Sequence, residues 1–173
     1  MRLMSRAAIA MAAILVAAPV QAQTSFAISL GAAVPVGSTA DAVDLGYNAT
    51  ASVGIKPPLA PLGLRIDGMY NAFDFKGTSG SMRMIAGTAN VTLSGAGMPI
   101  PMGYLIGGVG MYNSKATGLP IATESSTDFG FNIGAGLNFP LTGFSTFLEA
   151  RLHLVSTDGE STKFVPITFG LRF

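Results

Sequence analysis

Apolar and polar residues alternate with a period of two through eight stretches of the chain. That is the spacing of side chains pointing to opposite faces of a β-strand. In the last stretch, Lys163 to Phe173, Val165, Ile167, Phe169, Leu171 and Phe173 fall on one side, and Pro166, Thr168, Gly170 and Arg172 on the other. Such a stripe must face either a protein core or lipid.

The earlier stretches follow the same rule. Ser25 to Val34 sets Phe26, Ile28, Leu30, Ala32 and Val34 against Ser25, Ala27, Ser29, Gly31 and Ala33. Tyr47 to Ile55 sets Tyr47, Ala49, Ala51, Val53 and Ile55 against Asn48, Thr50, Ser52 and Gly54. Leu62 to Phe73 sets Leu64, Ile66, Gly68 and Tyr70 against Arg65, Asp67, Met69 and Asn71. Met82 to Leu93 sets Ile85, Ala89, Val91 and Leu93 against Met84, Thr88, Asn90 and Thr92. Pro101 to Tyr112 reads as a strand of ambiguous face, because Gly103, Gly107, Gly108 and Gly110 blur the pattern. Phe129 to Phe139 is the clearest, with Phe129, Phe131, Ile133, Ala135, Leu137 and Phe139 on one face and Gly130, Asn132, Gly134, Gly136 and Asn138 on the other. Phe147 to Val155 sets Leu148, Ala150, Leu152 and Leu154 against Glu149, Arg151 and His153.

The links alternate in character. Pro35 to Gly46, Asp74 to Ser81, Asn113 to Asp128 and Ser156 to Ser161 are polar and hold Asp41, Asp44, Asp74, Glu124, Asp128, Asp158 and Glu160. Lys56 to Pro61, Ser94 to Ile100 and Pro140 to Gly143 are short and rich in Pro and Gly, as tight turns require. Eight strands with longer links on one side and short turns on the other predict an all-β, eight-stranded, antiparallel up-and-down transmembrane β-barrel. Both ends of its chain would lie on the short-turn, periplasmic side.

Composition decides which face meets lipid. The chain is 49% hydrophobic and 11% charged, about half the usual charged fraction. A soluble barrel would turn its polar face outward, and such a face is normally rich in Lys and Glu. Here the second face is mostly Ser, Thr, Asn and Gly, which suits a small lumen better than a soluble surface. The continuous apolar face is therefore expected to meet lipid, where a closed barrel pairs every backbone group. Tyr47, Tyr70, Phe129, Phe139, Phe169 and Phe173 stand towards strand ends, where membrane barrels carry aromatic girdles.

The first 22 residues read as a secretory signal peptide. Arg2 and Arg6 precede an apolar run from Ala7 to Val20, and Val20-Gln21-Ala22 forms a small-residue cleavage site. The run is shorter than the ~20 residues of a spanning helix. The domain would then be residues 23–173. Loss of Arg2 and Arg6 leaves eight basic residues against nine acidic ones, a net charge of −1, so nothing points to nucleic acid. Cysteine is absent, which excludes disulfides, thiolate metal sites and a lipoprotein anchor.

Charged residues of inward parity gather on two strands. Arg65 and Asp67 lie on the third, Glu149 and Arg151 on the seventh, diametrically opposite in a barrel of eight. They should meet across the lumen as a neutralised cluster, with Arg172 joining from the side. Eight strands leave an interior just wide enough for side chains to fill, so the cluster reads as a plug. The alternative is a charged constriction that selects ions, which Gly54, Gly130, Gly134 and Gly136 favour by leaving room for water. Arg83, of outward parity near the outer rim, either snorkels to anionic head groups or caps its strand. The single histidine, His153, cannot build a multi-histidine metal site. Ser156 and Asp158 lie near it, without the ordered base and oxyanion donors of a triad. No catalytic residue, metal site or cofactor is expected.

Leu64-Arg65-Ile66-Asp67-Gly68, Gly107-Gly108-Val109-Gly110, Asn132-Ile133-Gly134-Ala135-Gly136-Leu137 and Phe147-Leu148-Glu149-Ala150-Arg151 together resemble the small outer-membrane barrel family shared by the OmpA transmembrane region, OmpX and the opacity-type proteins. The ending Phe169-Gly170-Leu171-Arg172-Phe173 resembles the signal read by the barrel-assembly machinery, with Phe169, Leu171 and Phe173 as the residues read. The resemblance implies an outer-membrane protein with a structural or surface-interaction role, its acidic loops outside the cell, or alternatively a narrow porin-like channel. Its expected partners are outer-membrane lipid, lipopolysaccharide and the assembly machinery, and it is expected to be a monomer. No peptidoglycan-binding domain of OmpA type follows Phe173, so tethering to the wall is not expected.

Overall fold

The computed structural model describes residues 23–57, 60–95, 102–118, 125–157 and 160–173. The leader and the loop acids Glu124 and Asp158 lie outside them. Eight strands, β1 (Gln23–Pro35), β2 (Gly46–Lys56), β3 (Leu62–Asp74), β4 (Ser81–Ser94), β5 (Gly103–Thr117), β6 (Ser125–Pro140), β7 (Ser145–Thr157) and β8 (Glu160–Arg172), pair in sequence order into a closed barrel. Every pairing is antiparallel, and β8 returns to β1 with Leu30 opposite Phe169. Phe26 and Phe173 exchange both backbone hydrogen bonds, at 2.8 and 3.0 Å, and seal the seam at the short-turn end.

The outer surface is greasy over strand after strand. Leu30 is 70% exposed, Ile133 65% and Ile28 58%, with Phe131 and Phe169 also exposed. Apolar area on this scale is foreign to a soluble surface and suits a lipid-facing one. Closure leaves no unpaired strand edge, which is what lets such a sheet sit in hydrocarbon. The fifth strand also acquires a face. Tyr104, Ile106, Gly110 and Tyr112 are buried inward, while Leu105, Val109 and Met111 are exposed.

The links are less asymmetric than their composition suggests. β5 and β6 extend through polar residues that read as loop, so their hairpin link shrinks to residues 118–124. Asn113 and Lys115 pair with Thr127 and Ser125 there, because the sheet ladder continues wherever a partner backbone is available, whatever the side chains' polarity. The link 36–45 is the elaborate one. It contains a short helix, α1 (Thr39–Ala42), tied down by Lys76 Nζ donating to the Ala40 carbonyl at 2.6 Å and the Lys163 amide donating to Thr39 Oγ1 at 2.9 Å. Directly after α1, Val43 is 2% exposed and bridges to Phe75.

Candidate functional site

The lumen is filled in tiers. In the half nearer the short turns, inward residues of β3 and β7 face each other. Arg65 donates to both carboxylate oxygens of Glu149, at 2.7 and 2.8 Å, a bidentate fork. Its Nε lies 2.9 Å from Asp67 Oδ1, close enough for charge attraction though off the hydrogen-bond axis. Arg151 closes the ring, 2.7 Å from Asp67 Oδ2 and 3.2 Å from Glu149 Oε1. All four side chains are buried. Neutral groups take up remaining positions: the Tyr104 hydroxyl donates to Glu149 Oε2 at 2.7 Å, and Asn90 Nδ2 to Asp67 Oδ2 at 3.1 Å. Asn132 in turn donates to Asn90 Oδ1 at 2.9 Å.

Arg172 stands apart from this ring. It donates to Asn138 Oδ1 at 3.0 Å, and its guanidinium lies 5.0 Å from the centroid of Phe147 and 5.7 Å from that of Tyr104. Low on β8, it is held by aromatic faces and has no ion pair among the described residues.

The half nearer the long links holds an apolar cluster, which the polar reading of the inner face did not anticipate, beside a buried Asn48–Asn71 hydrogen bond of 2.7 Å. Ala33, Met69, Phe73, Met84, Ala86, Tyr112, Val155 and Phe164 form one buried cluster, and Val43 descends onto it from the link after α1. His153 belongs to this tier. Its ring stacks on Phe164 at 4.9 Å and 11°, and its Nδ1 is 2.7 Å from the Tyr112 hydroxyl. Ser156 is exposed on the outward face of the same strand, so His153 and Ser156 cannot share a reaction centre. Met69 joins the two tiers, its sulfur 3.9 Å from Arg151 Nη2. The signal for this cap was present: Phe73, Met84, Val155 and Phe164 all carry inward parity.

The inward glycines were expected to leave room for water, and two of the four do the opposite. A Cβ on Gly136 would strike the Tyr104 ring, and one on Gly130 the Tyr112 ring. The same relation links Gly170 to Phe147 and Gly46 to Phe73. Each aromatic ring sits against a glycine of the neighbouring strand, a device that fills the gap left by a missing side chain. At Gly134 the neighbours are the Ala150 carbonyl and Arg151. Gly54 lines the cavity at the short-turn mouth, where a Cβ would meet the Ser25 hydroxyl.

Of the remaining residues singled out, Phe169 and Phe173 are exposed and Leu171 partly so on the outer face of β8. Arg83 is exposed, opposite Lys115 in the ladder. Among the described residues, no group of His, Cys, Asp and Glu is large enough to hold a metal ion.

No protein-family profile matches the chain, and no curated protein matches it. Solved structures do. Neisserial surface protein A is similar at 14% identity, covering 87% of this chain and 97% of that one, with a TM-score of 0.59. Ail, the attachment invasion locus protein of Yersinia pestis, is similar at 16% identity over 87% of this chain and 99% of its own, TM-score 0.56. A major outer membrane protein from Thermus thermophilus is similar at 13% identity over 87% and 98%, TM-score 0.56. At these identities the likeness is one of fold: the chain shares the closed, eight-stranded barrel architecture of these proteins.

Proposed function

We propose that the chain is a closed, non-conducting barrel of the outer membrane, with a structural or surface-interaction role. The observation that carries this reading is the double obstruction of the lumen, a buried ion ring below an apolar cap. Either tier alone would obstruct a bore this narrow. The similar structures include a surface protein and an attachment protein, which supports a role at the cell surface. In this reading the end bearing Asp41, Asp44 and Asp74 faces outside the cell. Lipid and lipopolysaccharide surround the apolar belt, the monomer is the working unit, and the assembly machinery reads Phe169, Leu171 and Phe173. Residues 1–22 serve as the export signal, and no catalysis is assigned.

Planar-bilayer conductance of the refolded barrel, residues 23–173, tests the sealed lumen. Heat-modifiable gel migration establishes that the sample is folded. The expected result is silence. Discrete ohmic steps whose size changes in Glu149→Ala would instead establish the narrow channel.

A further inference from the structure

Below the ion ring, the barrel opens at its short-turn end into a cavity of about 470 Å³. Among the described residues, its lining includes Lys56, Arg65 and Arg172 but no Asp or Glu. Asp67 and Glu149 are engaged by Arg65 and Arg151, and their oxygens also accept from Asn90 and Tyr104. Two half-buried cations are left over at the mouth. Lys56 Nζ donates to Ser94 Oγ at 2.7 Å and Arg172 to Asn138 Oδ1 at 3.0 Å. An ammonium has three donors and a guanidinium five, so most of their capacity is unused by the described residues.

Both cations are also held in position. Lys56 is fixed at the end of β2 by its bond to Ser94 across the barrel wall. Arg172 lies over the rings of Phe147 and Tyr104, its guanidinium carbon 5.0 and 5.7 Å from their centroids, and spends one donor on Asn138. Tyr104 cannot swing away, because its hydroxyl is committed to Glu149. Ser25 and Thr92 add neutral hydroxyls to the same wall. Positive charge held in a concavity with low-dielectric walls concentrates anions from solution. Placing such charges together without a counter-ion is unfavourable, and an anion accepting from both removes that penalty.

We infer that this mouth is a binding site for a phosphate-class oxyanion, held between Lys56 and Arg172. The guanidinium supplies two parallel donors to a tetrahedral anion and the ammonium a point charge opposite. The anion can be free in solution or carried by a lipid head group that reaches the rim.

The test is calorimetric titration of inorganic phosphate into the refolded barrel in a non-ionic detergent, which contains no phosphate of its own. Saturable binding that weakens with added salt is expected. Lys56→Gln and Arg172→Gln should each weaken it about tenfold, the loss of one charge-assisted contact, while Arg83→Gln on the outer face leaves it unchanged. Lys56 touches only the rim, so its variant stays informative if Arg172→Gln refolds poorly. Repeating the titration in phosphatidylcholine discs with and without phosphatidylglycerol separates the sources, since an anionic lipid that occupies the site competes with phosphate. Absence of saturable binding, or binding indifferent to both substitutions, overturns the assignment.

Discussion

The two tiers of the lumen close the same bore by opposite means. The ring around Arg65, Asp67, Glu149 and Arg151 is buried and held by four mutually dependent charges. The cap of Phe73, Met84, Tyr112, Val155 and Phe164 is held by shape and apolar contact. A charge withdrawn from water is stable only with all its partners present, so the ring should be intolerant of single losses and tolerant of paired ones. Apolar packing responds instead in proportion to the volume removed. The difference lies in how each tier fails, and both failures are measurable by urea unfolding of the barrel in detergent.

The largest effect is expected at Asp67. Asp67→Ala leaves Arg65 and Arg151 sharing one carboxylate and should destabilise the barrel by about 3 kcal/mol, the low end for breaking a buried pair. An unchanged unfolding midpoint would mean that water already reaches this carboxylate. The comparison sharpens with the double variant Asp67→Leu/Arg151→Met. It removes one charge of each sign and should be less destabilised than Asp67→Leu and Arg151→Met summed, the difference being the coupling of the double-mutant cycle. If the double variant is instead the sum of its parts, the ring is not a charge-coupled unit.

Phe164→Ala should come next, at about 3 kcal/mol, the low end for a buried Phe, because the ring it removes stacks on His153 and meets Phe73 edge-on at 5.8 Å. Here Phe164→Leu should recover most of the loss, as no charged substitution pattern in the ring can. The smallest effect belongs to Val43→Ala, about 1 kcal/mol, since Val43 comes from a link and not from the barrel wall. A loss at Val43 as large as that at Phe164 would mean that the link after β1 folds as part of the barrel wall and not as a lid upon it.

Much of the barrel was legible because alternation is a local property. Each strand declares its two faces through residues a few positions apart, and a chain with this little charge cannot turn the greasy face to water. The opposition of β3 and β7 follows from strand count alone, and it sets Arg65, Asp67, Glu149 and Arg151 facing one another. The fifth strand resisted because glycine carries no side chain to mark a face. Tyr104 and Tyr112 share its inward parity, but only neighbouring strands reveal that each ring lies over a glycine, Gly136 and Gly130.

Sequence by itself determined the strand number, which face of each strand is apolar and which charged residues carry inward parity, since these depend on spacing along the chain. Tertiary structure decided what depends on register and on the closing of distance between strands. It made the glycines seats for aromatic rings, drew Val43 onto the apolar cap and kept Arg172 out of the ion ring. It also left Lys56 and Arg172 beside one cavity at the short-turn mouth. Those outcomes rest on angstrom-scale contacts among residues far apart in the chain, and no local pattern records them.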